Sequence, residues 1–323
     1  MCGDETREKM LDALIEEKPD AAFGATWRND ASVPGAERVI GLVSIGRVAG
    51  TALRVLLYGA WANKLPTVYT GKILTLMLDS APQANVESVL GIIDQSIRAG
   101  RMTVAEFGDV IWRALETQAN PRSTNFDWHW AEVAHHVASS DPARFARIFV
   151  TFFESDNTWL GTDSAQSVLG NITRSEPKPV WDVIGPALAR NDSTGSRLRI
   201  KLQHWFGEVI PAELLLSWAR KHGRRGILIA ASLLNPKAGL SASARLLIKE
   251  ASKPEEVLAS LAAAIGTGVF AGPMSNHMEG ELSILEKWAQ DEEPRIRSFA
   301  KVALKHQRKS IQRQKLLEEE EFV

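Results

Sequence analysis

The feature that most constrains the fold is a turn followed by an amphipathic helix near the end of the chain. Three acidic residues starting at Asp291 precede Pro294, and apolar residues then follow at spacings of three and four. Carboxylates favour the positive end of a helix, and proline suits its first turn because a backbone N–H has no helical partner there. Ile296, Ala300 and Leu304 fall on one face, so the stretch 291–304 predicts a helix that packs one stripe against neighbouring helices.

The same order of turn residues and helix recurs earlier in the chain. Asp141 and Asp192 each open such a stretch, at 140–149 and 191–202, and a degenerate copy at 235–248 begins with Asn235. These starts are separated by about 50 residues, and a fixed period of about 20–50 residues marks stacked supersecondary units. The pattern therefore predicts an array of helical repeats.

Helical signals also cover most of the remaining chain. Thr103 and Glu106 match a capping box, in which the threonine hydroxyl and the glutamate satisfy free N–H groups at a helix start. No run of alternating β-branched residues is long enough to predict a strand. The spacing predicts further helices at 4–17, 67–78, 85–97, 103–115, 126–137, 163–173, 178–188, 211–221, 226–234, 254–265 and 277–289. The predicted fold class is all-α.

Charge is unevenly distributed along the chain. The formal net charge is only −1, but residues 174–249 contain 13 lysines and arginines against 5 aspartates and glutamates. Residues 1–150 contain 15 against 18. A basic segment inside a nearly neutral chain indicates a local binding surface rather than a general attraction to nucleic acid.

Seven cations of this basic segment are candidate binding residues. Equivalent positions of successive repeats line up on one ridge, and a stripe of cations binds a phosphate backbone by releasing counterions. A solvated face with favourable cations at helix C-termini explains the same residues. The seven are Arg197, Arg199, Lys201, Arg220, Lys221, Arg224 and Arg225.

Tryptophan supplies a second set of candidates, since the chain has ten tryptophans and only two tyrosines. A tryptophan on an apolar stripe is a large core side chain that joins neighbouring helices, and most of the ten fit that description. Trp128, Trp130 and Trp159 lie less clearly on a stripe. For these three, contact with a partner is the alternative to burial in the core.

No motif predicts a cofactor, a metal site or a catalytic residue. His129 and His136 lie two helical turns apart, too far to bind one zinc ion without a third element. The glycines at 266–273 match neither a dinucleotide-binding fingerprint nor a P-loop, and no nucleophile elbow is present. The sequence favours a non-catalytic protein, and a small-molecule enzyme is the weakest alternative.

The sequence predicts a cytoplasmic protein with no membrane partner. The N-terminal residues lack a basic segment followed by an apolar run, which argues against a secretory signal. The apolar stretch 39–62 contains Arg47 and Arg54 and reads as one or two buried core helices rather than a membrane span. Cys2 is the only cysteine, so no internal disulfide can form.

The stretch 291–304 resembles a HEAT repeat, in which an acidic turn, a proline and arginines between apolar residues recur. Residues 266–321 are similar to the C-terminal end of HEAT-like arrays in bacterial proteins, some of which form the sensor arm of larger multidomain proteins. HEAT-like alkylpurine DNA glycosylases share this architecture, but none of their catalytic residues can be matched here.

The resemblance implies a right-handed α-superhelix, a HEAT-like α-solenoid of antiparallel helix pairs. We expect one such domain over 1–323, with a subdivision near 155–163 and a charged, frayed tail at 312–323. The expected function is a non-catalytic scaffold or sensor module that binds a protein partner through its concave face. The alternative is a nucleic-acid-binding protein, glycosylase-like or non-enzymatic, that uses the cations at 197–225.

Overall fold

A computed structural model of the chain describes residues 67–80, 82–117, 126–154, 163–265 and 273–321, together with Met10 and Ala13. Throughout these ranges the backbone forms helices and turns without a strand, which confirms the all-α prediction there. The predicted helix at 4–17 (apart from those two positions), the apolar stretch 39–62 and the glycine segment 266–272 lie outside the described residues.

The helices agree closely with the sequence-based prediction because caps and apolar spacing are local signals. The α-helices of the described ranges are α1 (Thr67–Ser80), α2 (Pro82–Arg98), α3 (Val104–Glu116), α4 (Phe126–Val137), α5 (Pro142–Thr151), α6 (Asp163–Ser175), α7 (Pro177–Ala189), α8 (Ser193–Leu202), α9 (Ala212–Lys221), α10 (Gly223–Ser232), α11 (Ala242–Glu250), α12 (Pro254–Ile265), α13 (Met274–Trp288) and α14 (Pro294–Glu321). Short 3-10 helices lie at Ala138–Ser140, Phe206–Glu208 and Pro236–Ala238.

The chain divides into two compact units, and the boundary between Asn171 and Ile172 lies inside α6. The sequence placed a subdivision slightly earlier, at 155–163. Whether all 323 residues form one α-superhelix remains a prediction.

In unit 1, helix α2 is the central element and packs against α1, α3 and α4. Ile93 on α2 and Ile111 on α3 are fully buried, as is Trp130 on α4. The threonine half of the predicted capping box is confirmed, since the Thr103 hydroxyl accepts a hydrogen bond from the Glu106 backbone N–H at 3.3 Å. The Glu106 carboxylate accepts a hydrogen bond from the Thr103 hydroxyl, also at 3.3 Å. Local capping therefore sets the start of α3, and apolar burial holds the helices together.

Unit 2 is built from consecutive helix pairs, α7–α8, α9–α10, α11–α12 and α13–α14. Helices two apart also pack, in one series α7–α9–α11 and in another α10–α12–α14. We call α8, α10, α12 and α14 the second helices of their pairs. Gly226 allows α10 to start close to α9, because a Cβ there would lie 2.6 Å from the carbonyl oxygen of Ala219.

The helix pairs are shorter than the predicted period of about 50 residues. Second helices begin at Ser193, Gly223, Pro254 and Pro294, spacings of about 30 to 40 residues. Asn235 caps the short 3-10 helix before α11 instead of opening a second helix. The Asp192 and Asp291 turns are therefore three helix pairs apart, whereas the sequence predicted two. The prediction failed because the turn at Asn235, which follows α10, has the residue types of a turn that opens a second helix.

The acidic turn before α14 ties the last pair to the pair before it. The Arg245 guanidinium on α11 contacts both carboxylate oxygens of Asp291, at 3.0 and 2.6 Å. These hydrogen bonds hold the pKa of Asp291 below its ordinary value. Arg297 in turn donates to the backbone carbonyls of Asp291 and Glu292. The predicted acidic turn thus has a structural role between repeats.

Residues 312–321, within the tail expected to fray, continue α14 as helix. The Glu318 carboxylate accepts hydrogen bonds from the backbone N–H and the hydroxyl of Ser275, at 3.0 and 2.5 Å. Ser275 lies in the first turn of α13, where a carboxylate satisfies free N–H groups. This contact lowers the pKa of Glu318 and holds the end of α14 on its partner helix.

Candidate interaction surface

The second helices of unit 2 present a surface that carries apolar side chains in contact with solvent. Ile200 on α8 is 66% exposed and Val302 on α14 is 58% exposed. Both lie away from the buried stripes of their helices, which contain Leu198 and Leu202 on α8 and Ala300 on α14. We call the exposed sides of α8, α10, α12 and α14 the second-helix face.

Two open grooves lie on this face. The first has a volume of about 550 Å³ and follows α10, where Leu228 and Ile229 lie beside Arg224, Arg225 and Ser232. The second has a volume of about 620 Å³ and lies between α12 and α14. Its lining residues are Ala251, Ser252, Pro254, Glu255, Leu258, Arg295, Ser298, Phe299 and Val302. Apolar lining with charged rims is the usual character of a peptide-binding groove.

Arg199, a predicted binding residue, is turned toward the backbone. Its guanidinium donates to the carbonyl of Leu188 at 2.7 Å and to the carbonyl of Arg190 at 2.9 Å. Burial and the nearby charge of Arg225 lower the pKa of Arg199. These carbonyls lie at the end of α7, so Arg199 acts there as a C-terminal cap.

Arg220 and Arg224 are engaged in ion pairs between helices two apart. Arg220 makes two hydrogen bonds to Glu250, at 3.0 and 2.8 Å, and Arg224 makes two to Glu256, at 2.6 Å each. The arginine hydrogen bonds lower the pKa values of Glu250 and Glu256. Both carboxylates lie just beyond residue 249, where the basic segment ends. The excess of lysines and arginines counted over residues 174–249 therefore overstates the net positive charge of this surface.

The other predicted cations lie on α8, α9 and α10. Arg225 donates to the Arg190 carbonyl at 3.1 Å, so Arg199 and Arg225 meet at the same oxygen. Arg197 and Lys201 lie on α8 and are half-buried, and Lys221 is exposed at the end of α9. The structure therefore brings Arg190, Arg199 and Arg225 together and pairs Arg220 and Arg224 with carboxylates.

The predicted tryptophans have different environments. Trp130 is fully buried in unit 1, donates to the Leu115 carbonyl at 3.0 Å and packs edge-on against Phe152. It is a core residue, so its prediction as a partner contact is wrong. Trp128 is 53% exposed and lies edge-on to His129. Trp159 lies outside the described residues.

A polar cluster joins α2 and α4 in unit 1. The buried Asp94 carboxylate accepts a hydrogen bond from Arg98 at 2.8 Å and lies 3.5 Å from Nε2 of His136. Arg98 also pairs with Glu132. Burial lowers the pKa of His129 on the same helix. Among the described side chains, no group of three or more histidines, cysteines or carboxylates is arranged to hold a metal ion.

Sequence reasoning missed the exposed aliphatic residues of the second-helix face. Ile200 stands between Arg199 and Lys201, and an apolar residue between two cations on a predicted helix was a usable signal. It also missed Glu250 and Glu256, whose pairing with arginines depends on helix stacking.

No model of a known protein family matches this chain, and neither does any curated protein. No helix in the described part of the chain is long and apolar enough to cross a membrane.

Proposed function

We propose that the chain is a non-catalytic interaction module that binds a protein partner through the second-helix face of unit 2. The observation that carries this proposal is the exposure of Ile200 on α8 and of Val302 on α14, together with the groove along α10 and the groove between α12 and α14 that Val302 lines. Exposed apolar patches on soluble proteins mark sites of interaction, because leaving such side chains in water is unfavourable.

The module is proposed to be a HEAT-like α-superhelix whose concave side is the second-helix face. Support comes from the pairing of consecutive helices and from the packing of helices two apart, the contact pattern that stacked helical repeats make. The Arg220–Glu250, Arg224–Glu256 and Arg245–Asp291 pairs add a polar contact between successive pairs. A stack held in this way offers an extended surface for a partner.

Nucleic-acid binding is a second candidate function, and one observation favours it. Helices α8 and α10 carry five cations, Arg197, Arg199, Lys201, Arg224 and Arg225, and no carboxylate. Against it, Arg224 is paired with Glu256 and Arg199 is directed at backbone carbonyls. Phosphate binding also gives no role to Ile200 and Val302. A protein partner explains both the cations and the aliphatic side chains.

Affinity capture from a lysate of the native source tests the protein-binding proposal. The immobilised chain is compared with the variants Ile200→Glu and Val302→Glu, and with Leu246→Glu as the matched control. Leu246 is exposed and lies on α11, which is the first helix of its pair. We expect a protein that the wild type and the control retain and that both face variants lose. Equal retention by all four proteins would reject the second-helix face.

Fluorescence anisotropy with labelled single- and double-stranded DNA tests the alternative. If the cations bind phosphates, affinity is micromolar or tighter and its logarithm falls linearly with the logarithm of the salt concentration. We expect weak binding that Arg197→Glu leaves unchanged. A steep salt dependence that this substitution weakens would favour the nucleic-acid function.

A further inference from the structure

The turn that follows α8 contains a histidine in a backbone conformation that favours glycine. His204 has a φ of 66°, and within the described ranges it is the only non-glycine residue with a positive φ. Gln203 before it is extended, with φ −61° and ψ 146°. An extended residue followed by a left-handed one is the pattern of a type II turn, whose third position favours glycine or asparagine. His204 keeps this strained conformation only while the contacts around it hold the turn in place.

Two backbone hydrogen bonds hold this turn on the end of α10. The His204 N–H donates to the Ser232 carbonyl at 2.9 Å, and the Gly207 N–H donates to the Leu233 carbonyl at 3.0 Å. Carbonyls at the end of a helix lack partners within it, so the turn satisfies two of them. Gly207 permits the close approach, because a Cβ there would lie 3.1 Å from the carbonyl oxygen of Leu233. We call residues 203–207 the His204 turn; it caps α10 and joins it to α8.

The half-buried imidazole of His204 suits its neutral form. Its Nδ1 atom is buried without a hydrogen-bond partner among the described residues. A protonated imidazole carries N–H groups on both nitrogens, so protonation would leave an enclosed donor without an acceptor. Burial lowers the pKa of His204, and the positive charge of Lys237 lowers it further. Lys237 lies on the 3-10 helix Pro236–Ala238, which follows α10.

The groups nearest to the turn do not offset a charge on the ring. Lys201, in the last turn of α8, carries a positive charge itself. Glu208, the closest carboxylate along the chain, is exposed and accepts a hydrogen bond from the Asn235 N–H at 3.1 Å. The negative end of α10 favours a cation, but Lys237 lies directly beyond it. A second cation at His204 therefore gains little there.

Glu281, a buried carboxylate on α13, limits the effect of acid to the His204 side of Lys237. It is 9% exposed, its Oε1 lies 2.9 Å from Nε2 of His277, and its charge interacts with that of Lys237. Burial raises the pKa of Glu281, so the folded chain binds this proton at a higher pH than the unfolded chain does. Acidification therefore stabilises the surroundings of Glu281, in contrast to those of His204.

We propose that the His204 turn is an acid-sensitive joint, which opens when the imidazole is protonated and frees the end of α8 from the end of α10. Opening exposes the ring to water, moves it away from Lys237 and relieves the left-handed φ, while the bonds to Ser232 and Leu233 are lost. Because His204 has the lower pKa in the closed turn, protonation begins in the open turn as the pH falls below about 6.5. The ratio of open to closed turn then rises by up to about tenfold per pH unit, until the closed turn also binds the proton. This joint does not depend on the proposed partner.

Proton NMR of the full-length chain measures the protonation of His204 directly. The chain has seven histidines, and the ring signal that disappears in His204→Asn identifies the one from His204. Asparagine tolerates a positive φ and binds no proton, so this variant keeps the turn without the titration. Between pH values of about 8 and about 5, we expect the His204 ring to titrate below the ordinary value of about 6.5. Titration of this ring at or above that value would overturn the proposal.

Hydrogen exchange detected by mass spectrometry measures the opening itself. Peptides that cover 203–210 and 228–234 report on both sides of the joint, with rates corrected for the pH dependence of chemical exchange. From a pH of about 6.5 to a pH of about 5.5, opening should increase by up to about tenfold in the wild type and stay constant in His204→Asn. His306→Asn, which removes an exposed histidine on α14, is the matched control and should respond like the wild type. An equal response in the wild type and His204→Asn would assign the opening to another group and reject the joint.

Two further variants keep the test decisive. Lys237→Met removes the positive charge beside the ring, so the NMR titration of His204 should move to higher pH; an unchanged titration would show that Lys237 does not act on the ring. His204→Gly replaces His204→Asn if circular dichroism shows that the asparagine variant is unfolded, because glycine adopts a positive φ without strain. It should also lack the acid response, and a retained response would reject the joint.

Discussion

Replacement of Arg199 by methionine distinguishes a structural arginine from a binding one. In the structure the Arg199 guanidinium caps the end of α7 by donating to the carbonyls of Leu188 and Arg190. Methionine keeps much of the aliphatic stem but has no donor. Lys221→Met is the matched control, because it also removes one positive charge and Lys221 is exposed.

The magnitude follows from the hydrogen bonds that are lost. A hydrogen bond from a charged donor contributes about 1.5–3 kcal/mol. The Leu188 carbonyl loses its guanidinium donor, whereas the Arg190 carbonyl keeps the bond from Arg225 at 3.1 Å. Relief of repulsion between Arg199 and Arg225 offsets part of the loss. We expect Arg199→Met to destabilise unit 2 by about 2 kcal/mol, and Lys221→Met by less than about 0.5 kcal/mol.

The assay combines a melting curve with a local measurement. For a unit of this size, about 2 kcal/mol lowers the melting temperature by roughly 4–8 °C. Hydrogen exchange should show faster exchange in peptides that cover the end of α7 and the start of α8, because the cap is lost there. Peptides from α2 in unit 1 provide the internal reference.

Two results would refute this reasoning. Equal melting temperatures for Arg199→Met, Lys221→Met and the wild type would show that the carbonyl contacts contribute nothing. A loss of partner or DNA binding in Arg199→Met without any change in stability would return Arg199 to the binding residues.

The remaining predictions concern core packing, ion pairing and pH. Trp130→Phe should cost about 1–3 kcal/mol in urea unfolding, since the buried Leu115 carbonyl loses its donor. Gly226→Ala should lower the melting temperature, whereas the same change at the exposed Gly280, which has open space around it, should not. Arg220→Glu should lower the melting temperature, and adding Glu250→Arg should recover part of that loss by restoring the ion pair. No recovery in the double variant would show that the pair does not contribute to stability. Burial lowers the pKa of His129, so on acidification this histidine takes up its proton in the unfolded chain at a higher pH than in the folded protein. The free energy of unfolding should then fall as the pH drops below about 6.5, and His129→Gln should reduce that slope.

The helices and their starts were largely accessible from the sequence. Pro294 begins α14, Thr103 caps α3, and the predicted all-α class holds for the described residues. These features depend on residues within one or two helical turns, where caps, dipoles and apolar spacing act. The sequence also identified the basic segment that contributes part of the candidate surface.

The partners of those residues were decided by the tertiary structure. Glu250 and Glu256 neutralise arginines about 30 residues away only because alternate helices stack. Trp130 is buried because α3 and α5 pack around α4, which its own helix does not specify. The repeat length, too, depended on which turns join paired helices. Local sequence thus determined where helices form, and packing between distant segments decided which side chains remain available to a partner.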